Sequence, residues 1–257
     1  MSVQTTPVEI PTADGNADGV LAAPDGAGPF PGVVLYMDAF GPRPRLEEMA
    51  ARIAAEGYVV LVPHVFYRSG RAPLFDTSAL LDPESRERVF AKIGPVMSRL
   101  TPELAMRDAG AWLAFLAADE RVADVPVGLT GYCMGGALAL RTAAAYPARV
   151  AAAASFHGGR LATDAPDSPH RGAATITGEV YVAHADHDRS MPPEQQRLLE
   201  DTLAAAGVRH TCELYGGAAH GFTMSDTAAY DEAATERHWD ALLDLFGRTL
   251  GVSRAGA

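Results

Sequence analysis

Lysine, cysteine and long apolar runs are all scarce in this sequence. Lys92 is the only lysine in 257 residues, and 32 acidic against 21 basic side chains give a net charge of −11. Because nucleic-acid affinity depends largely on clustered Lys and Arg, we expect no nucleic-acid partner. No apolar run approaches the length of a membrane span, and residues 1–11 lack the basic and apolar regions of a signal peptide. We therefore expect a cytoplasmic protein that binds no membrane.

The two cysteines, Cys133 and Cys212, stand in unrelated sequence contexts. A disulfide framework is therefore not expected, which fits a reducing compartment. With 48% hydrophobic and 21% charged residues, the composition is that of an ordinary globular protein, and the length is ordinary for one α/β unit. We expect a single domain over residues 1–257, present as a monomer or a weak homo-oligomer.

Short apolar runs alternate with helical patterns along most of the chain, which is typical of an α/β fold with a mostly parallel central sheet and helices on both faces. Residues 3–10 and 18–23 flank an Asp-Gly-Asn turn and predict an antiparallel hairpin at the sheet edge. The further strands are predicted at 33–37, 58–63, 125–130, 150–156, 178–184 and 210–215, and the helices at 45–56, 101–118, 137–146, 192–206 and 227–250.

The segment 64–100 departs from this alternation. Pro73, Pro83 and Pro95 interrupt it, so the sequence predicts short helical pieces rather than one long helix. Loops of this length in a compact domain are usually functional or mobile. We predict an excursion over the carboxyl ends of the strands, where open α/β sheets place their sites, with a plain structural insertion as the alternative.

A glycine-flanked cysteine stands between a predicted strand and an alanine-rich helix. Residues 131–136 read Gly-Tyr-Cys-Met-Gly-Gly, which has the Gly-x-nucleophile-x-Gly form of a nucleophile elbow with Cys133 as the nucleophile. Small neighbours allow the sharp turn that exposes such a nucleophile, and the helix N-terminus favours a developing oxyanion. From these six residues alone, a buried inert cysteine in a tight turn is equally compatible.

Two further residues follow predicted strands in the order that α/β-hydrolases use, which is nucleophile, acid, histidine. Asp188 follows the strand at 178–184, and His220 lies in a glycine-rich loop after the last strand. Asp186, in the same turn as Asp188, competes for the role of the acid. His220 would activate the Cys133 thiol, whose attack on an ester or lactone carbonyl gives a thioester that water hydrolyses.

The oxyanion of that reaction needs hydrogen-bond donors close to the nucleophile. The N–H of Met134, directly after Cys133, is one expected donor. The second is expected from the loop after the strand at 33–37, most plausibly the N–H of Ala39. One such donor is typically worth about a hundredfold to a thousandfold in rate.

The segments that contain Cys133, Asp188 and His220, together with residues 37–41, 57–58 and 62–63, resemble the dienelactone hydrolase family. The resemblance implies a single-domain α/β-hydrolase fold without a metal or organic cofactor, and the hydrolysis of a small-molecule lactone or ester, with dienelactones giving maleylacetate in the family. It favours Asp188 over Asp186, because the family's acid lies four residues before a proline, as Asp188 does before Pro192. The resemblance rests on residues 37–41, 57–58, 62–63, 131–139, 188, 191–192 and 219–222.

The sequence departs from the family at two positions. Asp38 stands where the family has a glutamate that contacts the resting thiol, and Met224 stands where it has one of two arginines that bind the substrate carboxylate. Arg68 matches the other arginine, with an exposed, solvated side chain as the alternative. We expect Asp38 to act in thiol activation, and Arg68, Phe40 and Met224 to contact the substrate, with a strongly acidic dienelactone less favoured than another lactone or ester.

Two other functions stay open. The segment from His184 to Asp188 carries two histidines and two aspartates, and a metal-dependent hydrolase could use such a cluster, although a zinc site needs three suitably spaced ligands. A non-catalytic module with Cys133 as a redox-sensitive thiol is the second alternative. Cys212, on a predicted strand, is expected to be dispensable.

Overall fold

The computed structural model describes residues 1–78 and 80–251, so residue 79 of the predicted excursion and residues 252–257 of the predicted domain lie outside the described residues. Within these two ranges, eight strands form one sheet in the order β1-β2-β4-β3-β5-β6-β7-β8. The first two pair antiparallel as a hairpin, and from β4 to β8 all neighbours are parallel. The strands are β1 (Val3–Thr12), β2 (Gly15–Pro24), β3 (Gly32–Tyr36), β4 (Val59–Pro63), β5 (Val127–Tyr132), β6 (Val150–Phe156), β7 (Glu179–Ala185) and β8 (His210–Tyr215).

Six α-helices accompany the sheet in the described residues. All residues of β3, β4, β5 and β7 are buried, which explains why their sequences are continuous apolar runs rather than alternating ones. No helix in the described part of the chain is long and apolar enough to cross a membrane. The helices are α1 (Pro44–Ala55), α2 (Pro83–Met97), α3 (Pro102–Ala117), α4 (Met134–Ala145), α5 (Pro193–Ala205) and α6 (Glu232–Leu250).

The predicted fold class is confirmed, with differences at three elements. The hairpin strands extend further toward their turn than predicted, where Gly15 adopts a positive φ of 125°. Helix α6 begins at Glu232 rather than at residue 227, because Asp231 caps it by accepting the N–H of Ala234.

The third difference lies in segment 64–100, where one short piece, the 3₁₀ helix at Tyr67–Ser69, is present as predicted, but Pro83–Met97 forms a single 15-residue helix, α2. Asp82 caps this helix by accepting the N–H of Ser85. Pro95 falls in its last turn, where the missing N–H costs one hydrogen bond without interrupting the rest. Val89 and Ile93 of α2 are buried against Ala39. The helix therefore packs on the loop that follows β3, next to the carboxyl ends of the strands.

Candidate active site

The turn between β5 and α4 holds Cys133 in a conformation that side chains rarely adopt. Its φ and ψ are 55° and −118°, outside the regions normally open to a residue with a Cβ. A Cβ on Gly131 would overlap the carbonyl group of Gly135, and one on Gly135 would lie 2.5 Å from the carbonyl oxygen of Tyr36. Glycine at both positions lets helix α4 start directly against the end of β3, with Cys133 at the apex.

His220 lies between Asp188 and Cys133. Its Nδ1 is 2.6 Å from a carboxylate oxygen of Asp188, which follows β7, and its ring also interacts electrostatically with the Cys133 side chain. Because Nδ1 faces the carboxylate, Nε2 is the ring nitrogen left for the sulfur. Three loops after three different strands thus bring a thiol, an imidazole and a carboxylate into one series, which is an arrangement able to carry out nucleophilic catalysis.

The electrostatics of this series favour a protonated imidazole beside an ionised carboxylate. Burial alone would lower the pKa of His220, but hydrogen bonds and charge interactions with Asp188 and Cys133 outweigh it and raise the pKa to about 10. Burial alone would raise the pKa of Asp188, yet the contacts with His220 and Ser190 lower it below its ordinary value. His220 is therefore able to take up and hold a proton near neutral pH.

Asp188, and not Asp186, contacts His220. Asp186 accepts the N–H of Gly217 and so ties two loops together. The second carboxylate oxygen of Asp188 accepts both the N–H and the hydroxyl of Ser190, at 2.8 and 2.7 Å. Sequence reasoning missed Ser190; its place two residues after the acid, typical of an Asx turn, is the signal that could have indicated it.

A second histidine, which the sequence did not indicate as a site residue, supports the turn at Cys133. His157 follows β6, has a positive φ of 40° and is buried. Its Nδ1 accepts the backbone N–H of Cys133 at 3.2 Å, so Nε2 carries the proton that is donated to the Thr223 hydroxyl at 2.8 Å. Burial lowers its pKa well below the ordinary value, so the ring stays neutral. Its position directly after a strand, like that of Cys133, is the signal available in the sequence.

Two backbone amides border the nucleophile without an acceptor. Within residues 1–78 and 80–251, no hydrogen bond involves the N–H of Met134, the first residue of α4, or that of Ala39. A helix leaves its first N–H groups without intrahelical partners. The close packing of Gly135 on the carbonyl groups of Tyr36 and Met37 brings the loop containing Ala39 beside Met134. The two donors are thus available to an oxygen held next to Cys133.

Cys133 and His220 lie where two cavities meet. The smaller, of about 580 Å³, is mostly apolar and includes Phe40, Phe90 and Met224 in its lining. Phe90 comes from α2, and its ring packs on Phe40 with centroids 5.1 Å apart. Met224, which stands where the family has a carboxylate-binding arginine, is buried. Its thioether therefore forms part of the cavity wall. This side of the nucleophile suits an apolar group.

The larger cavity, of about 960 Å³, extends along helix α4 on the other side of Cys133. Met97 at the end of α2 and Leu100 contribute apolar surface, and Leu138 and Arg141 contribute one face of α4. Residues of segment 64–100 therefore line both cavities.

Asp38 borders the smaller cavity but is held by an arginine. Both of its carboxylate oxygens accept hydrogen bonds from Arg43, at 2.7 and 2.8 Å, and one also accepts the N–H of Phe40. Arg43 in turn binds Asp226. Both members of the Asp38–Arg43 pair are almost fully buried. In the described residues no hydrogen bond joins Asp38 to Cys133, so the carboxylate fixes the loop before α1.

Arg68 is not brought to this group of residues. Its guanidinium makes a two-pronged contact with Asp108 of α3, with both nitrogen to oxygen distances 2.7 Å, and a third bond to Asp14 in the hairpin turn. It belongs to the lining of neither cavity at Cys133. The sequence placed Arg68 with the substrate, whereas its donors are occupied by two carboxylates of the protein itself. The structure brings together the other predicted site residues, namely Asp38, Ala39, Phe40, Cys133, Met134, Asp188, His220 and Met224.

The two histidines and two aspartates of segment 184–188, which are residue types that bind metals, lie in separate environments. In the part of the chain that the structure describes, no group of three or more His, Cys, Asp or Glu side chains is arranged to hold a metal ion. His184 is buried with neither ring nitrogen hydrogen-bonded in the described structure, and burial lowers its pKa to about 4. The His187 side chain is exposed. Burial raises the pKa of Cys212 to about 12, so that thiol stays protonated.

Comparison with known proteins places this chain among hydrolases. A sequence profile of the dienelactone hydrolase family matches residues 17–250. A carboxymethylenebutenolidase of Rhodococcus opacus is 30% identical over 226 residues, which are 87% of this chain and 83% of that protein. A candidate carboxymethylenebutenolidase of Synechocystis sp. is 30% identical over 250 residues, or 96% and 97% of the two chains.

Solved structures share the fold. The crystal structure of a candidate dienelactone hydrolase from Klebsiella pneumoniae superposes with a TM-score of 0.81 at 22% identity, covering 96% of this chain and all of that one. A dienelactone hydrolase-like promiscuous phosphotriesterase from metagenomic libraries gives a TM-score of 0.77 at 26% identity, with 97% and 99% of the chains covered.

Proposed function

Because this chain belongs to the dienelactone hydrolase family and is an ester or lactone hydrolase, we propose that it works through Cys133, His220 and Asp188 and a thioester intermediate. The observation that carries the proposal is the position of His220, which hydrogen-bonds with Asp188 and lines the same two cavities as Cys133, with whose side chain it interacts. A base held in this way has the orientation and the proton affinity that thiol activation requires.

The first half of the reaction transfers the acyl group to sulfur. His220 takes the proton of the Cys133 thiol, and the thiolate attacks the carbonyl carbon of the ester or lactone. The carbonyl oxygen becomes an oxyanion, for which the N–H groups of Met134 and Ala39 are the donors. When the tetrahedral intermediate collapses, the bond to the alcohol oxygen breaks and that oxygen takes the proton from His220, which leaves a thioester.

The second half consumes water. His220 removes a proton from water, the hydroxide attacks the thioester carbonyl, and the carbon–sulfur bond breaks with return of the proton to Cys133. Asp188 stays ionised throughout and keeps His220 in the required tautomer. From a lactone, the acid and the alcohol leave as one hydroxy acid. The apolar walls formed by Phe40, Phe90 and Met224 support an apolar group on one side of the scissile bond.

The test is to trap the intermediate. Protein mixed with a slowly hydrolysed aryl ester should gain the mass of one acyl group on the peptide that contains Cys133, and hydroxylamine should remove it because thioesters react with hydroxylamine. Cys133→Ala and His220→Ala should each lower turnover by about 10⁴-fold or more. The unfolding temperature of Cys133→Ala should stay near that of the wild type, and that of His220→Ala should do so near pH 10, where the stabilisation by the protonated imidazole is lost.

Cys212→Ala is the matched control, since Cys212 is partly buried on β8 and belongs to the lining of neither cavity. It should retain full activity and the acyl adduct. Turnover retained in Cys133→Ala, or an adduct found on Cys212, would exclude the proposed nucleophile. Activity lost to a chelator but unaffected by iodoacetamide would favour the metal-dependent alternative.

A further inference from the structure

One face of helix α4 forms a wall of the larger cavity at Cys133. Met134, Ala137, Leu138 and Arg141 all contribute to the lining, and their spacing places them on one side of the helix. The first three are apolar. The wall therefore runs from the nucleophile across hydrocarbon surface to a guanidinium group two turns further on.

The Arg141 guanidinium is largely buried and has no close partner. Its side chain is only 21% exposed, and among the described residues it makes no hydrogen bond. The nearest carboxylate oxygen belongs to Asp167, 3.7 Å away on a half-exposed side chain, which is beyond hydrogen-bonding distance. Arg68, whose side chain is 20% exposed, and the more deeply buried Arg43 each hold two carboxylates at hydrogen-bonding distance instead.

Burial without a partner is unfavourable for a cation. Desolvation lowers the pKa of Arg141, and the charges of Asp167 and Glu103 do not compensate. The planar fork of five N–H donors thus belongs to a cavity lining, makes no hydrogen bond to a described residue, and has the Asp167 carboxylate 3.7 Å away as its ion-pair partner. Groups of this kind bind carboxylates in two-pronged geometry, because the fork matches the two oxygens.

The other charged residues of this cavity do not provide an equivalent site. Asp186 and Asp188 are engaged by Gly217 and His220. Arg160 and Arg189 belong to the lining but are exposed to solvent. A solvated guanidinium contributes little to ion pairing, whereas a desolvated one contributes more. With a net charge of −11, the protein as a whole does not attract anions, so an acidic ligand depends on such a local group.

We propose that Arg141 binds a carboxylate at the end of the substrate remote from the scissile ester or lactone bond. The inference rests on the proposed role of Cys133. Eight residues of α-helix separate the two positions by about 12 Å along the axis. Helical side chains lean toward the N-terminus, so the guanidinium comes closer to Cys133 than that. The substrate class is then an ester or lactone with an apolar spacer and a terminal carboxylate.

Two p-nitrophenyl esters of equal chain length test this directly: the hexanoate, which ends in a methyl group, and the mono-adipate, which ends in a carboxylate. Arg141→Gln should lower kcat/KM for the adipate ester about 10- to 100-fold, mainly through KM, because a charge-assisted contact is lost. The hexanoate should change less than about twofold, since the chemical step is untouched. Arg197→Gln, which removes an exposed positive charge outside both cavities, is the matched control for net charge.

Asp167→Asn is a variant that should change kcat/KM for the adipate ester in the opposite direction. It removes the nearby carboxylate that competes for Arg141, so kcat/KM for the adipate ester should rise about threefold while the hexanoate value stays constant. If Arg141→Gln lowers both esters equally, or leaves the adipate ester unchanged, the carboxylate site is wrong.

Binding without turnover separates this inference from the proposed function. Calorimetric titration of free adipate into Cys133→Ala protein, with and without Arg141→Gln, requires no catalysis. Loss of adipate binding in the double variant supports the site even if Cys133 proves not to be the nucleophile. Equal binding, or no binding in either protein, overturns the site while leaving the trapped acyl adduct as an independent test of the reaction.

Discussion

At the scale of single residues, the chemistry depends on how His220 is held. Nδ1 is occupied by Asp188, whose other oxygen is fixed by Ser190. His157 binds the backbone N–H of Cys133 and stays neutral because it is buried. Two histidines with centroids 5.3 Å apart therefore have pKa values shifted in opposite directions. Only His220 has the carboxylate partner that a general base needs.

The raised pKa of His220 predicts how stability depends on pH. The folded pKa of about 10 lies above the unfolded value of about 6.5, so the folded state binds more protons between these values. The resulting stabilisation is complete below pH 6.5 and is lost as the pH rises toward 10. Asp188→Asn removes one cause of the shift. The difference in unfolding free energy between wild type and Asp188→Asn should therefore shrink from pH 6 to pH 10.

Urea unfolding at several pH values measures this difference, and NMR titration of the ring protons should show a lower pKa for His220 in Asp188→Asn. Loss of the orienting carboxylate should also reduce kcat by about 10⁴-fold. A stability difference that does not vary with pH would mean that Asp188 does not control the protonation of His220.

At the scale of elements, the site depends on the junction of β5 and α4. Strand β5 places Cys133 at the carboxyl end of the central strands. Helix α4 supplies the N–H of Met134 and the cavity wall that ends at Arg141. The segment between β4 and α3 contributes to the lining of both cavities, through Phe90 and Met97 of α2. The prolines of this segment predicted that its helical structure is interrupted. Asp82 instead caps the start of α2, and the buried side chains of Val89 and Ile93 pack the helix against the rest of the protein. Tertiary packing outweighed the local signal there.

The elbow glycine gives a prediction about this junction. Gly131→Ala places a methyl group on the Gly135 carbonyl, so α4 must shift. We expect a loss of about 1–3 kcal/mol in unfolding free energy and a fall in kcat of about a hundredfold or more, because small displacements of the reacting groups are costly. Gly94→Ala in α2, where the methyl group meets open space, is the control and should leave both quantities unchanged or slightly improve stability. Full activity in Gly131→Ala would contradict the tight turn.

At the scale of the whole molecule, buried ion pairs connect segments that are distant in sequence. Arg43 joins the loop after β3 to the loop before α6 through Asp226, and Arg68 joins the hairpin to α3. Asp108, the partner of Arg68, is only 2% exposed. A carboxylate this buried must keep a cationic partner, because an unpaired charge in the interior is strongly destabilising.

Arg68 therefore has a predicted role in stability. Arg68→Gln should lower the unfolding free energy by about 3 kcal/mol, measured by chemical denaturation, and leave KM for both the hexanoate and the adipate ester unchanged at a temperature where the variant is folded. Arg71→Gln, which breaks an exposed pair with Glu9, should leave the unfolding free energy essentially unchanged. A raised KM for the adipate ester alone, with normal stability, would instead support the role in carboxylate binding that the family resemblance implies for Arg68.

The sequence by itself determined the parallel sheet, the family and the convergence of Cys133, His220 and an aspartate from the turn at 186–188. These follow from local patterns, because apolar runs mark the strands and the carboxyl ends of parallel strands meet at one edge. Only the tertiary structure decided the contacts of long side chains and of neighbouring candidates. Asp188 rather than Asp186 meets the imidazole, Arg68 meets Asp108, and Arg141 lies desolvated in a cavity. Such outcomes depend on which distant segments pack within a few ångströms, and no local pattern in the chain encodes that distance.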